Sequence, residues 1–201
     1  MRTLSSISLM LFLALLPSLL LRSSAAADNG DDCLRIACNV TEYPDLCFTK
    51  LSSWPNTVKR SWTGLARAAI SVTVTETKNV SRYILGLRNV GLTGTASMAL
   101  VDCIECFGDA LDNLYRSLFQ IRVLENDNFK FQVSNMQTWL SAAMSSEETC
   151  VDGLNGSNGS NGTALVQGLN TAIGCLSKVT SIALALVNTL NSTDGHISAA
   201  H

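Results

Sequence analysis

Residues 95–124 have the sequence TASMALVDCIECFGDALDNLYRSLFQIRVL, and the spacing of the apolar residues in it is the clearest indication of the fold. Its small and apolar positions alternate steps of three and four residues, at Leu100, Cys103, Phe107, Ala110, Leu114, Ser117 and Ile121. A seven-residue repeat of this kind is typical of a long helix with one seam buried against neighbouring helices. The stretch therefore predicts a helix that packs in a bundle.

The same rhythm recurs on both sides of this helix. Residues 127–150 and 163–190 keep it closely, and residues 56–90 follow it less regularly, because the β-branched run at 70–75 makes a strand the competing prediction there. Proline is absent between Pro55 and the Gly-rich loop, which permits long helices. The sequence thus predicts four helices.

The predicted helices are separated by short connections at residues 91–94, 125–127 and 153–162. Short connections place consecutive helices antiparallel, so we expect an all-α, up-down-up-down four-helix bundle over 56–190. Before it, residues 31–53 predict a separate small α-hairpin whose turn is bracketed by Cys38 and Cys47. A bond between these cysteines would stabilise the hairpin by about 3 kcal/mol, and so small a unit needs such support.

The N-terminus has the features of a secretory signal. Residues 1–27 combine Arg2, an apolar run at Leu9–Leu21 and three alanines at 25–27. The run is shorter than the roughly 20 residues of a membrane span, so we expect cleavage and no membrane association afterwards. A single domain would then span 28–193, followed by a flexible tail at 194–201.

Charge and sequons agree with export. Without residues 1–27 the chain has 12 basic and 16 acidic residues and no basic stripe, which argues against a nucleic-acid partner. Six N-glycosylation candidates follow the Asn-X-Ser/Thr pattern, at Asn39, Asn79, Asn155, Asn158, Asn161 and Asn191. We therefore expect a soluble extracellular protein.

The cysteines favour disulfides over metal binding. All seven follow the predicted signal, and an oxidising export route makes disulfides the default. Cys103 and Cys106 form a lone C-x-x-C without the other ligands that zinc needs, so we expect neither a metal nor a cofactor. The odd count leaves at least one thiol outside intramolecular bonds.

Catalytic groups are scarce. The two histidines, His196 and His201, lie in the polar tail, so no fixed imidazole can activate a nucleophile. Asp102, Glu105 and Asp109 share a helical face; they are either an acid/base set or a solvated surface. We favour the surface, because paired catalytic carboxylates need a cleft that a closed bundle does not offer. The chain is predicted to be a binder without enzymatic activity.

Three motifs carry a family resemblance. Residues 38–47 (CNVTEYPDLC) place Tyr-Pro before the second of two cysteines, residues 99–111 read ALVDCIECFGDAL, and TWLSAA at 138–143 is followed by TCVD at 149–152. In order and spacing, these motifs resemble the plant family of invertase and pectin methylesterase inhibitors. The resemblance covers about residues 32–190 and implies disulfides Cys38–Cys47 and Cys103–Cys150, with Cys33, Cys106 and Cys175 outside the set. For Cys106 we expect a small buried apolar side chain.

The resemblance also suggests the target. Invertase inhibitors resemble one another in a Pro-Lys-Phe tripeptide at the start of the third bundle helix, whereas residues 128–131 here read NFKF, with Phe129 in place of the proline. Residues 137–143 are similar to the methylesterase inhibitors. We therefore expect a free-standing inhibitor of pectin methylesterase, with invertase as the alternative target. A secreted structural or carrier glycoprotein is the second alternative.

The family implies a mode of binding. The inhibitor would form a one-to-one complex in the apoplast, with its second and third bundle helices across the enzyme's pectin-binding cleft, and so control cell-wall pectin methylesterification. Thr138 is the first candidate contact. The other candidates, from the same helix, are Gln132, Asn135, Ser141, Lys130 and Phe131.

Overall fold

The computed structural model describes residues 30–88, 93–157 and 163–192. The predicted signal peptide, parts of two connections and the predicted tail lie outside these residues. The helices are α1 (residues 30–38), α2 (Pro44–Leu51), α3 (Asn56–Lys59), α4 (Trp62–Leu87), α5 (Thr95–Gln120), α6 (Phe129–Gly156) and α7 (Thr163–Thr189), with a 3₁₀ turn at Asn126–Asn128. The described residues contain no β-strand.

Four long helices form the bundle. Each of α4, α5, α6 and α7 packs against two others, in the ring order α4–α5–α6–α7, so α4 lies diagonally opposite α6. Helices α1 and α2 form the N-terminal hairpin, and the Cys38–Cys47 disulfide closes its turn with a Cα–Cα distance of 5.6 Å. The predicted all-α bundle with its disulfide-bonded hairpin is confirmed.

The hairpin is not a separate unit, because it shares the hydrophobic core of the bundle. Leu34 and Leu51 of the hairpin are buried in one cluster with Leu114 of α5, Leu140 of α6 and Leu186 of α7. Two ion pairs join the same parts: Lys59 of α3 bonds Asp31 at 2.6 Å, and Lys50 of α2 bonds Glu76 of α4 at 2.6 Å. Burial and these ion pairs therefore fix the hairpin to one end of the bundle.

The predicted seams face the interior. All seven seam residues predicted for α5 are buried. The same spacing predicts inward positions in the next two long helices, and all of them are buried except Leu165, which is half-buried: Val133, Met136, Leu140, Ala143 and Cys150 for α6, and Leu165, Leu169, Ile173, Leu176, Val179, Ala183, Leu186 and Leu190 for α7. In α6 the apolar repeat has no apolar residue between Ala143 and Cys150. The residue at the inward position between them is Glu147, which is fully buried. A second core cluster, around Phe107 and Ile173, fills the other end of the bundle.

Residues 56–90 differ from the prediction in one respect. The chain forms α3 and then starts α4 afresh, because Ser61 is extended and its hydroxyl accepts a hydrogen bond from the Gly64 N–H at 3.1 Å, as an N-cap does. Residues 70–75 are helical, so the competing strand prediction is wrong there. The hydroxyls of Thr73 and Thr75 each donate to the carbonyl four residues earlier, which satisfies them within the helix.

Helix α7 is unusually apolar. Among the described residues it is the helix (Ala164–Thr189) that is long and apolar enough to cross a membrane, with a mean hydropathy of 1.4. Its Leu169, Ile173, Ala183 and Leu186 are buried in the two core clusters against the other helices. This packing accounts for its composition, as expected for the core helix of a bundle.

Candidate binding face

A disulfide and a partly buried connection hold α5 and α6 side by side. The Cys103–Cys150 disulfide links their buried seams with a Cα–Cα distance of 4.6 Å. The connection, residues 121–128, is fixed by the buried side chain of Ile121. The solvent-facing side of this pair, called here the α5–α6 face, carries most of the residues proposed from the sequence.

Five of the six candidate contact residues have accessible side chains. Thr138 and Ser141 are exposed on α6 and Asn135 is half-buried, while Lys130 and Phe131 are exposed in the first turn. The Thr138 hydroxyl donates to the Ser134 carbonyl at 3.0 Å, which leaves its oxygen lone pairs toward solvent. These positions recur at helical steps and therefore lie along one side of α6.

Gln132, the sixth candidate, is not part of this surface. Its side chain is 9% exposed. Its amide nitrogen donates to the Val123 carbonyl at 3.2 Å, and its amide oxygen accepts from the Glu125 N–H at 2.8 Å. Gln132 thus satisfies two backbone groups of the α5–α6 connection. Its position beside the seam residue Val133 is the one sequence signal that it faces inward.

Replacing Gln132 by alanine should lower the free energy of unfolding by about 2 kcal/mol, since two part-buried backbone groups lose their partners. Urea denaturation of the Gln132→Ala variant measures the loss. The matched control is Gln137→Ala, which removes a hydrogen bond to Asn188 at the exposed surface and should cost less than about 0.5 kcal/mol. Equal losses in both variants would contradict the inference that the two hydrogen bonds of Gln132 stabilise the α5–α6 connection.

Exposed apolar side chains are most frequent on α5 and its connection to α6, although Tyr115 lies toward α4, where Lys78 Nζ is 5.1 Å from its ring centre. Of ten large hydrophobic side chains that are exposed in the described residues, six belong to α5, its connection or the start of α6: Met98, Val101, Tyr115, Phe119, Val123 and Phe131. Apolar periodicity does not predict these exposed side chains, because a seven-residue repeat identifies the buried side of a helix and does not distinguish among the positions on its exposed side.

The carboxylates of α5 lie on the solvent side. Asp102, Glu105 and Asp109 are all exposed, in agreement with a solvated surface. Cys106, between them, is half-buried and packs against the core cluster around Phe107, so it is less buried than expected. Burial, followed by the negative charges of Asp109 and Asp102, raises the pKa of the Cys106 thiol. A raised pKa lowers the fraction of the thiolate, which is the reactive form of a cysteine.

The described residues hold no group of three or more His, Cys, Asp or Glu side chains placed to bind a metal ion. Both histidines lie outside them. Among the cysteines beyond the two disulfides, Cys33 is buried and Cys175 is exposed. Cys175 lines a groove of about 610 Å³ between α2 and the α4–α7 pair, away from the α5–α6 face.

The sequons are mostly at the surface. Asn39, Asn79, Asn155 and Asn191 are exposed, whereas Asn158 and Asn161 lie outside the described residues. None of the four exposed asparagines lies on α5, and Asn155 lies in the last turn of α6, at the end opposite the connection. Glycans at these positions would leave the centre of the α5–α6 face open.

Comparison with known proteins adds a family and a fold. The family model described as plant invertase/pectin methylesterase inhibitor matches residues 32–186. "Pectinesterase inhibitor 6" of Arabidopsis thaliana is 42% identical over 60% of this chain and 58% of its own length, so the match spans little more than half of that relative. "Pectinesterase inhibitor 3" of the same plant is 33% identical over 84% of this chain and 83% of its own.

A solved structure agrees with the architecture. The crystal structure of a mutant form of a pectin methylesterase inhibitor from Arabidopsis superposes with a TM-score of 0.59, covering 75% of this chain and 92% of that one. The two sequences are 16% identical over this alignment, so the likeness concerns the fold.

Proposed function

The chain belongs to the plant invertase/pectin methylesterase inhibitor family, and from that premise we propose that it inhibits a plant pectin methylesterase. Relatives that match over most of the chain are named pectinesterase inhibitors, which supports methylesterase as the partner. In this proposal residues 1–27 direct secretion and are removed, residues 28–193 form the inhibitory domain, and the protein acts in the apoplast.

The observation that carries the proposal is the accessible side of α6, on which Asn135, Thr138 and Ser141 lie on a helix that the Cys103–Cys150 disulfide links to α5. Helices α5 and α6 have 26 and 28 residues, about 40 Å each at 1.5 Å per residue. With helix axes roughly 10 Å apart, their joint outer surface is about 40 Å by 20 Å. That area, about 800 Å² per partner, is what a stable protein–protein interface needs.

The proposed mechanism is occlusion. A rigid face of two disulfide-linked helices that covers a polysaccharide-binding cleft excludes the polymer without any covalent step. The hydroxyl and amide groups of Asn135, Thr138 and Ser141 present donors and acceptors to a cleft lined for sugar recognition. One inhibitor covers one cleft, so the complex has one-to-one stoichiometry.

Substituting Thr138 tests the location of the interface. In Thr138→Arg, a long cation replaces a small hydroxyl near the middle of the face, and we expect the inhibition constant for a plant pectin methylesterase to rise about 100-fold. The measurement is a titration of methylesterase activity, with a cell-wall invertase assayed in parallel.

The matched control is Thr75→Arg. Thr75 is an exposed threonine on α4, diagonally opposite α6, and its hydroxyl donates to Ser71 in the way that Thr138 donates to Ser134. Its inhibition constant should stay within about threefold of the wild-type value. An inhibitor weakened by Thr75→Arg and unaffected by Thr138→Arg would place the interface on the other side of the bundle.

A further inference from the structure

The outer side of α4 carries a line of exposed cations. Arg67, Lys78 and Arg82 are exposed and lie eleven and four residues apart, which is close to three turns and one turn of an α-helix, so they share one side of it. No basic stripe was expected from the sequence, because apolar and small residues separate these cations along the chain. The three residues are called here the α4 basic stripe.

Carboxylates do not neutralise this stripe. Against one acidic residue, Glu76, residues 56–94 contain six basic residues: Lys59, Arg60, Arg67, Lys78, Arg82 and Arg88. Glu76 pairs with Lys50 of α2 at 2.6 Å, and no ion pair among the described residues involves a member of the stripe. Helix α4 is therefore positively charged in a chain whose formal net charge is −2.

At its N-terminal end the stripe reaches a cleft of about 350 Å³, called here the arginine cleft. Arg67 of α4 and Arg122 of the α5–α6 connection line it, together with the hydroxyl-bearing residues Thr57, Ser61 and Thr63. None of the residues that line the cleft is acidic. Two guanidinium groups beside hydroxyls suit a carboxylate, because a guanidinium can donate two parallel hydrogen bonds to its oxygens.

Close packing fixes the walls of the arginine cleft. Residues 56–59 pass so near the start of α4 that a Cβ atom on Gly64 would lie 2.9 Å from the Val58 carbonyl oxygen. The Ser61 hydroxyl holds the same turn by accepting from the Gly64 N–H at 3.1 Å. On the other wall, Ile121 is buried beside Arg122. Walls that are fixed before binding lose little conformational entropy when a ligand arrives.

We propose that the arginine cleft and the α4 basic stripe bind the de-esterified stretches of pectin, a linear polysaccharide whose uronate residues carry carboxylates. A small anion would need the cleft alone, whereas the cations continue for about 22 Å along the helix from Arg67 to Arg82 and match a polymer with repeated charges. The inference goes beyond the proposed inhibition and rests on it only for placing the protein beside this polymer.

Hydroxyl groups on the same side of α4 favour a sugar polymer. Ser71 and Thr75 lie between Arg67 and Lys78, and their hydroxyls donate to the carbonyls of Arg67 and Ser71 at 2.9 and 3.0 Å. The oxygen lone pairs of these hydroxyls remain available to accept from sugar hydroxyls. A nucleic-acid-binding domain is expected to be strongly basic overall, and the net charge of this chain is negative.

The stripe lies away from the candidate contacts of α6. Helix α4 is diagonally opposite α6, on which Thr138 and Ser141 are exposed. The polymer and the enzyme therefore have separate surfaces on the bundle. Hydrolysis of each methyl ester releases methanol and leaves a carboxylate on the polymer, so the product of the esterase is the ligand of the stripe. Binding of this kind would retain the inhibitor where the enzyme has already acted.

The test measures binding of the signal-free protein to polygalacturonate, with no enzyme present. We expect binding at low salt that is lost at about 1 M salt, where the Debye length is about 3 Å, and no binding to the fully methyl-esterified polymer. Arg67→Gln and Arg122→Gln should each weaken binding about tenfold, because each removes charge-assisted hydrogen bonds from the cleft. Monomeric galacturonate should bind at least about tenfold more weakly than the polymer, because it cannot reach the stripe.

Two further variants control for charge and position. Lys178→Gln removes a cation from α7, where the Lys178 ammonium lies 5.4 Å from the centre of the Tyr43 ring, and should change the affinity by less than about twofold. Thr75→Arg adds a cation to the same side of α4, between Arg67 and Lys78, and should raise the affinity about threefold. Melting temperatures of all variants check that the fold is kept.

Several results would overturn the proposal. These are equal binding of the methyl-esterified polymer, variants Arg67→Gln and Arg122→Gln that bind like Lys178→Gln, monomeric galacturonate that binds as tightly as the polymer, and double-stranded DNA that binds as tightly as polygalacturonate. A protein that inhibits the methylesterase but does not bind polygalacturonate overturns this inference alone. A protein that binds polygalacturonate but does not inhibit the enzyme overturns the proposed function alone.

Discussion

Removing the Cys103–Cys150 disulfide by the double substitution Cys103→Ala and Cys150→Ala should lower the free energy of unfolding by about 4 kcal/mol. The bond closes a loop with a sequence separation of 47, and cross-linking a loop of that length restricts the unfolded chain by this amount. Both cysteines are buried on the seams of α5 and α6, so the smaller alanines also leave unfilled space. Urea denaturation at fixed pH measures the difference.

Cys106→Ala is the control for this experiment. Cys106 lies one turn from Cys103, is half-buried and belongs to neither disulfide, so its loss should cost less than about 1 kcal/mol. The double variant should also weaken inhibition, because the α5–α6 face loses its cross-link. A double variant as stable as Cys106→Ala would mean that packing alone fixes the two helices.

Stability should fall as the pH rises from about 4 to about 7, and Glu147 is the cause. Burial raises the pKa of the Glu147 carboxyl to about 7, although the hydroxyls of Thr180 and Ser177 donate to it at 2.9 and 3.0 Å and act in the opposite direction. In the unfolded chain a glutamate titrates near 4.3. Between these values the folded state binds the proton more tightly, so unfolding releases it.

Proton linkage gives the direction and the size of this change in the free energy of unfolding. A group whose pKa is raised on folding adds stability below its unfolded pKa, and that contribution is lost as the pH rises through the folded pKa. For Glu147 the total is about 3 kcal/mol between pH 4 and pH 8. The protein should therefore be more stable at mildly acidic pH than at neutral pH. Denaturation at intervals across this range measures the slope.

Glu147→Gln isolates the effect. Glutamine keeps the shape and can still hydrogen-bond Thr180, but it does not titrate, so the variant should be more stable than wild type at pH 8 and should show a flatter profile. Glu148→Gln is the control, since Glu148 is the adjacent exposed carboxylate. A wild-type profile that Glu147→Gln leaves unchanged would mean that Glu147 is not the titrating group.

The bundle was predictable because its information is local and repeated. The seam from Leu100 to Ile121 shows which side of α5 is buried, and the other long helices repeat the pattern. The break before α4 was not predicted, because it depends on a single Ser61 cap within an otherwise helical sequence. A lone N-cap residue carries about 1 kcal/mol, too little to stand out against propensities summed over a whole helix.

The candidate contact residues and the exposed apolar side chains were predicted less completely. Phe131 and Thr138 were identified through the motifs around them, whereas Phe119 and Val123 belong to no motif. Their exposure depends on where α5 ends, which apolar periodicity alone does not determine. Gln132 and Glu147 are polar residues whose burial the sequence did not indicate. A polar residue next to a seam, or at a skipped position within one, is assigned to the surface unless its buried partners on another segment are known.

The proposed inhibition can be measured by titrating the signal-free protein against a plant pectin methylesterase at mildly acidic pH, with a cell-wall invertase in parallel. We expect methylesterase activity to be lost at a near one-to-one ratio while invertase activity is unaffected. Inhibition should weaken as pectin is added, because inhibitor and polymer compete for one cleft. Loss of invertase activity alone, or full activity of both enzymes with excess protein, would contradict the proposed function.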